Sequence, residues 1–234
     1  MSISHEPSSM ACNHGLRRQT IVQSLLTDVF QGRLEAGQHL VTQDLAERFG
    51  VSHTPVREAL IAMAGIGVID LVPNRGAVVR QVTTKDVREV CQVRRALECE
   101  AVRRACGRIN PAELEQMASE LRSLAGISRR SAAQFLERAR ALDSRLHDLI
   151  ASCCGNAFLA KELDRLKTLF RAFSDMAYSH YKERNDLRRL SEEAREHLAI
   201  VEALLGGDGR AASRAMSHHI RTGVKYMTRS LPRP

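Results

Sequence analysis

The sequence predicts a mainly α chain: an N-terminal winged helix-turn-helix with a small β-hairpin wing, then an all-α bundle of about six helices. Three observations predict it. The run Leu45-Ala46-Glu47-Arg48-Phe49-Gly50-Val51-Ser52-His53-Thr54-Pro55-Val56-Arg57-Glu58-Ala59-Leu60 reads as helix, tight turn, helix. Val68–Val72 and Ala77–Arg80 are short apolar segments on either side of Pro73-Asn74-Arg75-Gly76, which is a hairpin signal. After residue 83 the apolar spacing is helical throughout, with no strand signal. The boundaries that follow are a disordered tail over 1–15, a first domain over 16–82 and a helical domain over 83–230.

In the first domain, Leu45, Ala46 and Phe49 give one helix an apolar face, and Gly50 ends it. Ser52 or Thr54 can cap the next helix, and Pro55 suits its first turn, where no amide hydrogen is needed. Val56, Ala59, Leu60 and Met63 repeat at helical spacing and face a core. Ser52, His53, Thr54 and Arg57 are then left at the exposed N-terminal end of that helix. In a recognition helix this is the end that reaches base edges and phosphates. Gln43 joins them as a contact candidate, and Asn74, Arg75 and Gly76 form the tip of the wing.

Residues 16–82 closely resemble the DNA-binding domain of the GntR family of bacterial transcription regulators. Gly32-Arg33-Leu34, Gly37, Leu45-Ala46, Gly50-Val51-Ser52, Thr54–Leu60 and Pro73-Asn74-Arg75-Gly76 carry the resemblance. It implies double-stranded DNA as partner, with a palindromic operator mirroring a homodimer. One departure counts: the family usually has Arg after this Ser, and this chain has His53. A histidine lacks the guanidinium fork that grips guanine, so a shifted operator preference is expected.

Composition narrows the setting. No apolar run approaches the roughly 20 residues of a membrane span, and residues 1–15 have no apolar signal-peptide core. Six cysteines, with Cys153 and Cys154 adjacent and no Cys-x-x-Cys pair, form no disulfide framework or zinc finger, so reduced thiols in a cytoplasm are expected. The net charge of +8 does not carry the DNA reading. Through residue 82 there are seven Lys or Arg and seven Asp or Glu; the excess, 28 basic against 20 acidic, lies beyond. The reading rests on local placement of Arg17, Arg18, Arg48, Arg57, Arg75 and Arg80.

Six helices are expected in the second domain. Thr84 caps the first, which runs to about Cys106, and Asn110-Pro111 starts the second, ending near Gly126. The third covers about Arg129 to Cys154, broken by Gly155-Asn156, and the fourth Ala157 to about His180. The fifth runs from about Leu187 to Leu205, and Gly206-Gly207-Asp208-Gly209 separates it from a sixth ending near Ser230.

Three of these helices carry a candidate metal constellation. Asp143 and His147 are spaced i, i+4, on a face shared with Leu136, Ala139, Ile150, Ala151 and Cys154. His197 shares a face with Ala194, Val201 and Leu204, and His219 with Ala212, Ala215 and Met216. His218 falls beside Arg214 and Arg221 and is expected in solvent. Three imidazoles and a carboxylate suit Zn²⁺, Ni²⁺, Mn²⁺ or Fe²⁺; a lone core histidine held by hydrogen bonds is the plainer alternative for each. Arg94, on a stripe with Val87, Val90, Cys91, Ala101 and Ala105, needs an anionic partner. That partner is either Glu98, one turn on, or the carboxylate of a bound effector.

The helical region resembles the FCD effector domain of the FadR-type branch of the same family. The resemblance is carried by Asp143, His147 and Gly155-Asn156, by Glu196-His197-Leu198-Ala199-Ile200-Val201-Glu202-Ala203, and by Ala215-Met216-Ser217-His218-His219. It implies that Asp143, His147, His197 and His219 ligate a divalent metal whose coordination a small organic acid completes, with Arg94 as effector clamp. A repressor whose operator affinity responds to that acid is the expectation. A regulator answering to the metal itself, or a metalloenzyme fused to a winged helix, are the alternatives; the enzyme reading lacks a general base near these motifs.

Overall fold

The computed structural model describes residues 9–30, 32–73, 75–80, 83–125, 132–167 and 187–230. The chain divides at Val82/Thr83 into two compact units.

In the first unit, α1 spans Ser9–Phe30, α2 Thr42–Phe49 and α3 His53–Gly65. Helix α1 is a difference from expectation, since it starts inside the segment read as a disordered tail. Ile21, Val22, Leu25 and Leu26 are buried and anchor it. Once such a nucleus is fixed, propagation adds a hydrogen bond per residue, and the polar preceding turns follow. Gly50 closes α2 at φ 61°. Its amide and that of Val51 return to Glu47 and Ala46 carbonyls, which turns the chain sharply into α3. Ser52 stands at the N-cap of α3, but its side chain makes no capping bond. Val56, Ala59, Leu60 and Met63 of α3 are buried against α1.

The wing contains one strand more than the sequence signals predict. β1 is His39–Leu40, β2 Ile69–Val72 and β3 Gly76–Val79, in antiparallel order β1-β3-β2. β2 and β3 pair from Ile69↔Val79 to Val72↔Gly76, and β1 adds His39↔Val78 and Leu40↔Ala77. A two-residue strand has no alternation to read, so only tertiary pairing defines it. Gly76 is required here: at φ 97° a Cβ would overlap the Leu40 carbonyl oxygen. Asp28, 3% exposed, ties the unit together by accepting from Arg33 and Arg48 at 2.6 Å each.

The second unit contains α4 (Thr84–Ala105), α5 (Pro111–Ala125), α6 (Ala132–Cys153), a helical run α7 over 157–167, α8 (Leu187–Leu205) and α9 (Gly209–Ser230). The cap of α4 is Thr83, not Thr84. Thr83 and Asp86 form a reciprocal capping box, a stronger arrangement than a hydroxyl alone. The remainder of the fourth expected helix, to His180, lies outside the described residues. α4 packs along α9, and α8 lies between α5 and α9. Met117, Leu121, Leu146, Ile150, Val201 and Met216 are among the side chains closing the core. Among the described residues no helix is long and apolar enough to cross a membrane.

The inward face of α6 differs from the expected one. Phe135, Leu142, Leu146 and Ile150 form its buried stripe. Asp143 and His147 are one position further round, about 100° away, at the edge of a cavity. Ile150 and Cys154 are buried, whereas Ala139 and Ala151 are only half-buried.

Candidate metal centre and nucleic-acid face

Asp143 and His147 of α6, His197 of α8 and His219 of α9 place one ligand atom each within 4.8 Å of one another. His197 Nε2 is 3.1 Å from Asp143 Oδ1 and 3.2 Å from His219 Nε2, and His147 Nε2 is 3.5 Å from Asp143 Oδ1. Four donors at about 2.1 Å from a central ion would stand about 3.4 Å apart in a tetrahedron. Three of the six spacings lie close to that value, and all six lie within 4.8 Å.

Carboxylates behind the rings fix their orientation. His219 Nδ1 donates to Glu196 Oε2 at 3.0 Å, and His147 Nδ1 donates to Glu98 Oε2 at 2.8 Å. Each bond leaves Nε2 facing the other ligands, the arrangement that raises imidazole basicity at a metal. Glu196 is itself gripped by Arg189 at 2.8 and 3.2 Å. Arg189 is 2% exposed, and its guanidinium stacks 4.4 Å over Tyr226.

The charges are arranged for a cation. Burial favours the neutral form of Glu196, but hydrogen bonds from His219 and Arg189 hold its carboxyl down at about 2. Burial opposes the Glu98 charge too, and His147 with Arg94 holds it at about 2. Asp143 is kept well below the usual carboxylate range, against burial, by bonds from His147 and His197. Burial and the neighbouring His197 push His219 down to about 3, so its ring is neutral and has a lone pair to give. Burial also disfavours charge on His147, yet Glu98 foremost raises it to about 9. A metal there would replace that proton. Three imidazoles, one carboxylate and a fixed outer shell fit a divalent first-row ion.

Arg94 stands beside this cluster. Its Nε donates to Glu98 Oε1 at 3.0 Å, and its Nη2 lies 3.2 Å from His147 Nε2. Burial disfavours its charge, and the Glu98 and Asp143 carboxylates outweigh that. The core carboxylate expected as one alternative is therefore a real partner. The side chain also lines a cavity of about 580 Å³ shared with Asp143, His147, Arg140, Lys167 and Leu163. His218 is exposed. Glu98 was legible in the sequence only as a partner for Arg94. Glu196 stood beside His197 with no sign of its bond to His219, because that contact depends on how α8 meets α9.

In the first unit, Gln43, His53, Arg57, Arg75 and Gly76 line a cleft of about 590 Å³ with Ile61 and Leu71, between α3 and the wing. No carboxylate is among its lining residues. Ser52, His53, Thr54, Arg57 and Arg75 are all exposed; Asn74 lies outside the described residues. Two other arginines counted toward a nucleic-acid face also make contacts within the unit while their side chains stay 44% and 49% exposed. Arg48 pairs with Asp28 and stacks 5.0 Å over Phe49; Arg80 donates to the Gly67 carbonyl at 3.2 Å.

Comparison with known proteins agrees with both halves. Residues 17–79 match the bacterial regulatory proteins of the gntR family, and residues 89–222 match the FCD domain. The HTH-type transcriptional repressor RspR of Escherichia coli K12 is 30% identical over 204 residues, covering 87% of this chain and 85% of that protein. The HTH-type transcriptional regulator LutR of Bacillus subtilis 168 is 25% identical over 209 residues, covering 81% and 91%. Among solved structures, E. coli McbR/YncC superposes with a TM-score of 0.68 at 19% identity, over 91% of this chain and 97% of that one. At that identity the likeness is one of fold.

Proposed function

The chain belongs to the gntR family of bacterial regulatory proteins with an FCD domain, and on that premise we propose that this DNA-binding transcription regulator is a cytoplasmic homodimeric repressor, switched by a small carboxylate held at a divalent metal. The observation that carries the metal half is the convergence of Asp143, His147, His197 and His219 beside a cavity that Arg94 also lines. Asp143, His147, His197 and His219 would hold the ion, which would offer Lewis-acid coordination to an oxygen ligand. Glu98 and Glu196 keep two of the rings aimed at it. Arg94 supplies the fork that a carboxylate accepts.

The DNA half rests on the cleft without carboxylates and on the exposed hydroxyls of Ser52 and Thr54 at the start of α3. Gln43 reads or holds the duplex from the first turn of α2, Ser52, His53, Thr54 and Arg57 do so from the start of α3, and Asn74, Arg75 and Gly76 from the wing. A ligand shifts operator affinity only by binding two conformations unequally, so the carboxylate selects one arrangement of the domains.

Elemental analysis of purified protein should give about one divalent ion per chain, lost in His197→Ala and retained in His218→Ala. No metal, even after incubation with Zn²⁺, Ni²⁺ or Mn²⁺, would refute the centre. Operator titration against a panel of small carboxylates at constant metal then separates this reading from a metal-responsive switch. His53→Arg should move the selected operator sequence more than the overall affinity; an identical selection profile would count against base reading at that position.

A further inference from the structure

Arg94 holds a position that a metal at this centre would contest. Its guanidinium Nη2 is 3.2 Å from His147 Nε2 and 3.5 Å from Nδ1, against the ring of one of the candidate ligands. It is bound to Glu98, whose other oxygen orients the same His147 ring. Glu98 and Asp143 thus form an acidic cradle that already contains a cation, and the Arg94 side chain is only 12% exposed in it. Two like charges a few ångströms apart in a largely buried site repel strongly. The cavity gives the guanidinium somewhere to go, since Arg94 forms part of its wall. The side chain is long enough to keep one bond to Glu98 while its outer nitrogens turn away from His147.

Resting on the metal centre proposed above, we propose that Arg94 is a displaceable internal cation of that centre: metal binding drives its guanidinium off His147 and into the cavity, where it can meet an anion. Metal loading and anion capture are then coupled, and the coupling is reciprocal. Without metal the fork is engaged inward with Glu98 and His147. With metal it faces the space in which a carboxylate would lie.

The sign of one measurement decides this. Zn²⁺ affinity is measured on the full-length protein by competition with a chromophoric chelator. If Arg94 is a competing cation, Arg94→Met tightens Zn²⁺ binding by about tenfold. Arg94→Lys, which keeps the charge, tightens it by less. Arg95→Met, an exposed neighbour bonded to Ser217 at 3.4 Å, leaves it unchanged. If Arg94 instead buttresses Glu98 and His147, Arg94→Met weakens Zn²⁺ binding, and a weaker or equal affinity overturns the proposal. Equal tightening by Arg94→Lys and Arg94→Met also overturns it, because charge would not be the cause. Thermal unfolding is run on each variant, and Arg94→Gln replaces any Met variant that does not fold. Failure of the metal reading itself is visible separately, as wild-type protein that binds Zn²⁺ no better than His197→Ala.

Discussion

Replacing Glu196 by Gln tests whether the shell behind the ligands matters. Glu196 Oε1 accepts from Arg189 Nη1, and its Oε2 accepts from both Arg189 Nη2 and His219 Nδ1. The two donor residues are both buried, at 2% and 4% exposure. A Gln amide has one accepting oxygen and one donating nitrogen. Whichever way it turns, one buried donor faces an NH₂ group. If the amide oxygen takes the Oε1 position, against the shorter 2.8 Å Arg189 Nη1 bond, His219 Nδ1 faces the NH₂ and loses the bond that aims its Nε2. At Oε2 that bond is kept, but to a neutral acceptor weaker than a carboxylate. Loss of such an orienting partner costs about 10–100-fold in metal affinity, or about 1.4–2.8 kcal/mol. Zn²⁺ affinity by chelator competition should therefore fall by that factor in Glu196→Gln. Glu202→Gln is the control: it sits on the same helix in an exposed pair with Arg122 and should bind as wild type. A Glu196→Gln protein with wild-type Zn²⁺ affinity and wild-type thermal stability would refute the reasoning. The ring would then be held by packing alone.

Three further outcomes are expected. Arg57→Ala should lower operator affinity by about 1–3 kcal/mol with unchanged melting temperature; unchanged affinity in an anisotropy titration would remove Arg57 from the DNA face. Asp28→Asn weakens two charge-assisted bonds from arginines that are 57% and 44% exposed. Because those arginines can return to water, the loss should be about 1–3 kcal/mol rather than that of a fully buried triad, read as a lower first-unit melting temperature by calorimetry. Asp208 accepts from the Arg210 and Ala211 amides at the start of α9, and these bonds, the Ala211 one foremost, lower its pKa. A depressed folded pKa contributes stability above the unfolded value, near 3.9, and loses it as pH falls through the lowered one. The stability advantage of wild type over Asp208→Asn should thus be constant above about pH 5 and shrink on acidification; a difference independent of pH would exclude the charge as its source.

The elements with a local cause are legible from the residues alone. Gly50 turns the chain because it alone takes φ 61° without strain. Pro73 to Gly76 sets the hairpin, and the Leu187–Leu205 helix falls where its spacing places it. The Asp143/His147 pair was legible because i, i+4 residues must share a face. The other features come from packing between elements. The β1 strand has no pattern of its own and exists because β3 offers it an edge. The Asp143/His147 face is the flank rather than the centre of the α6 core stripe, a difference of one residue that periodicity does not separate but packing does. Glu196 meeting His219, and Arg94 lying against His147, depend on how separate helices cross. Spacing along one helix fixes which side chains share a face, whereas the distance between faces of different helices is set by the packing of everything between them.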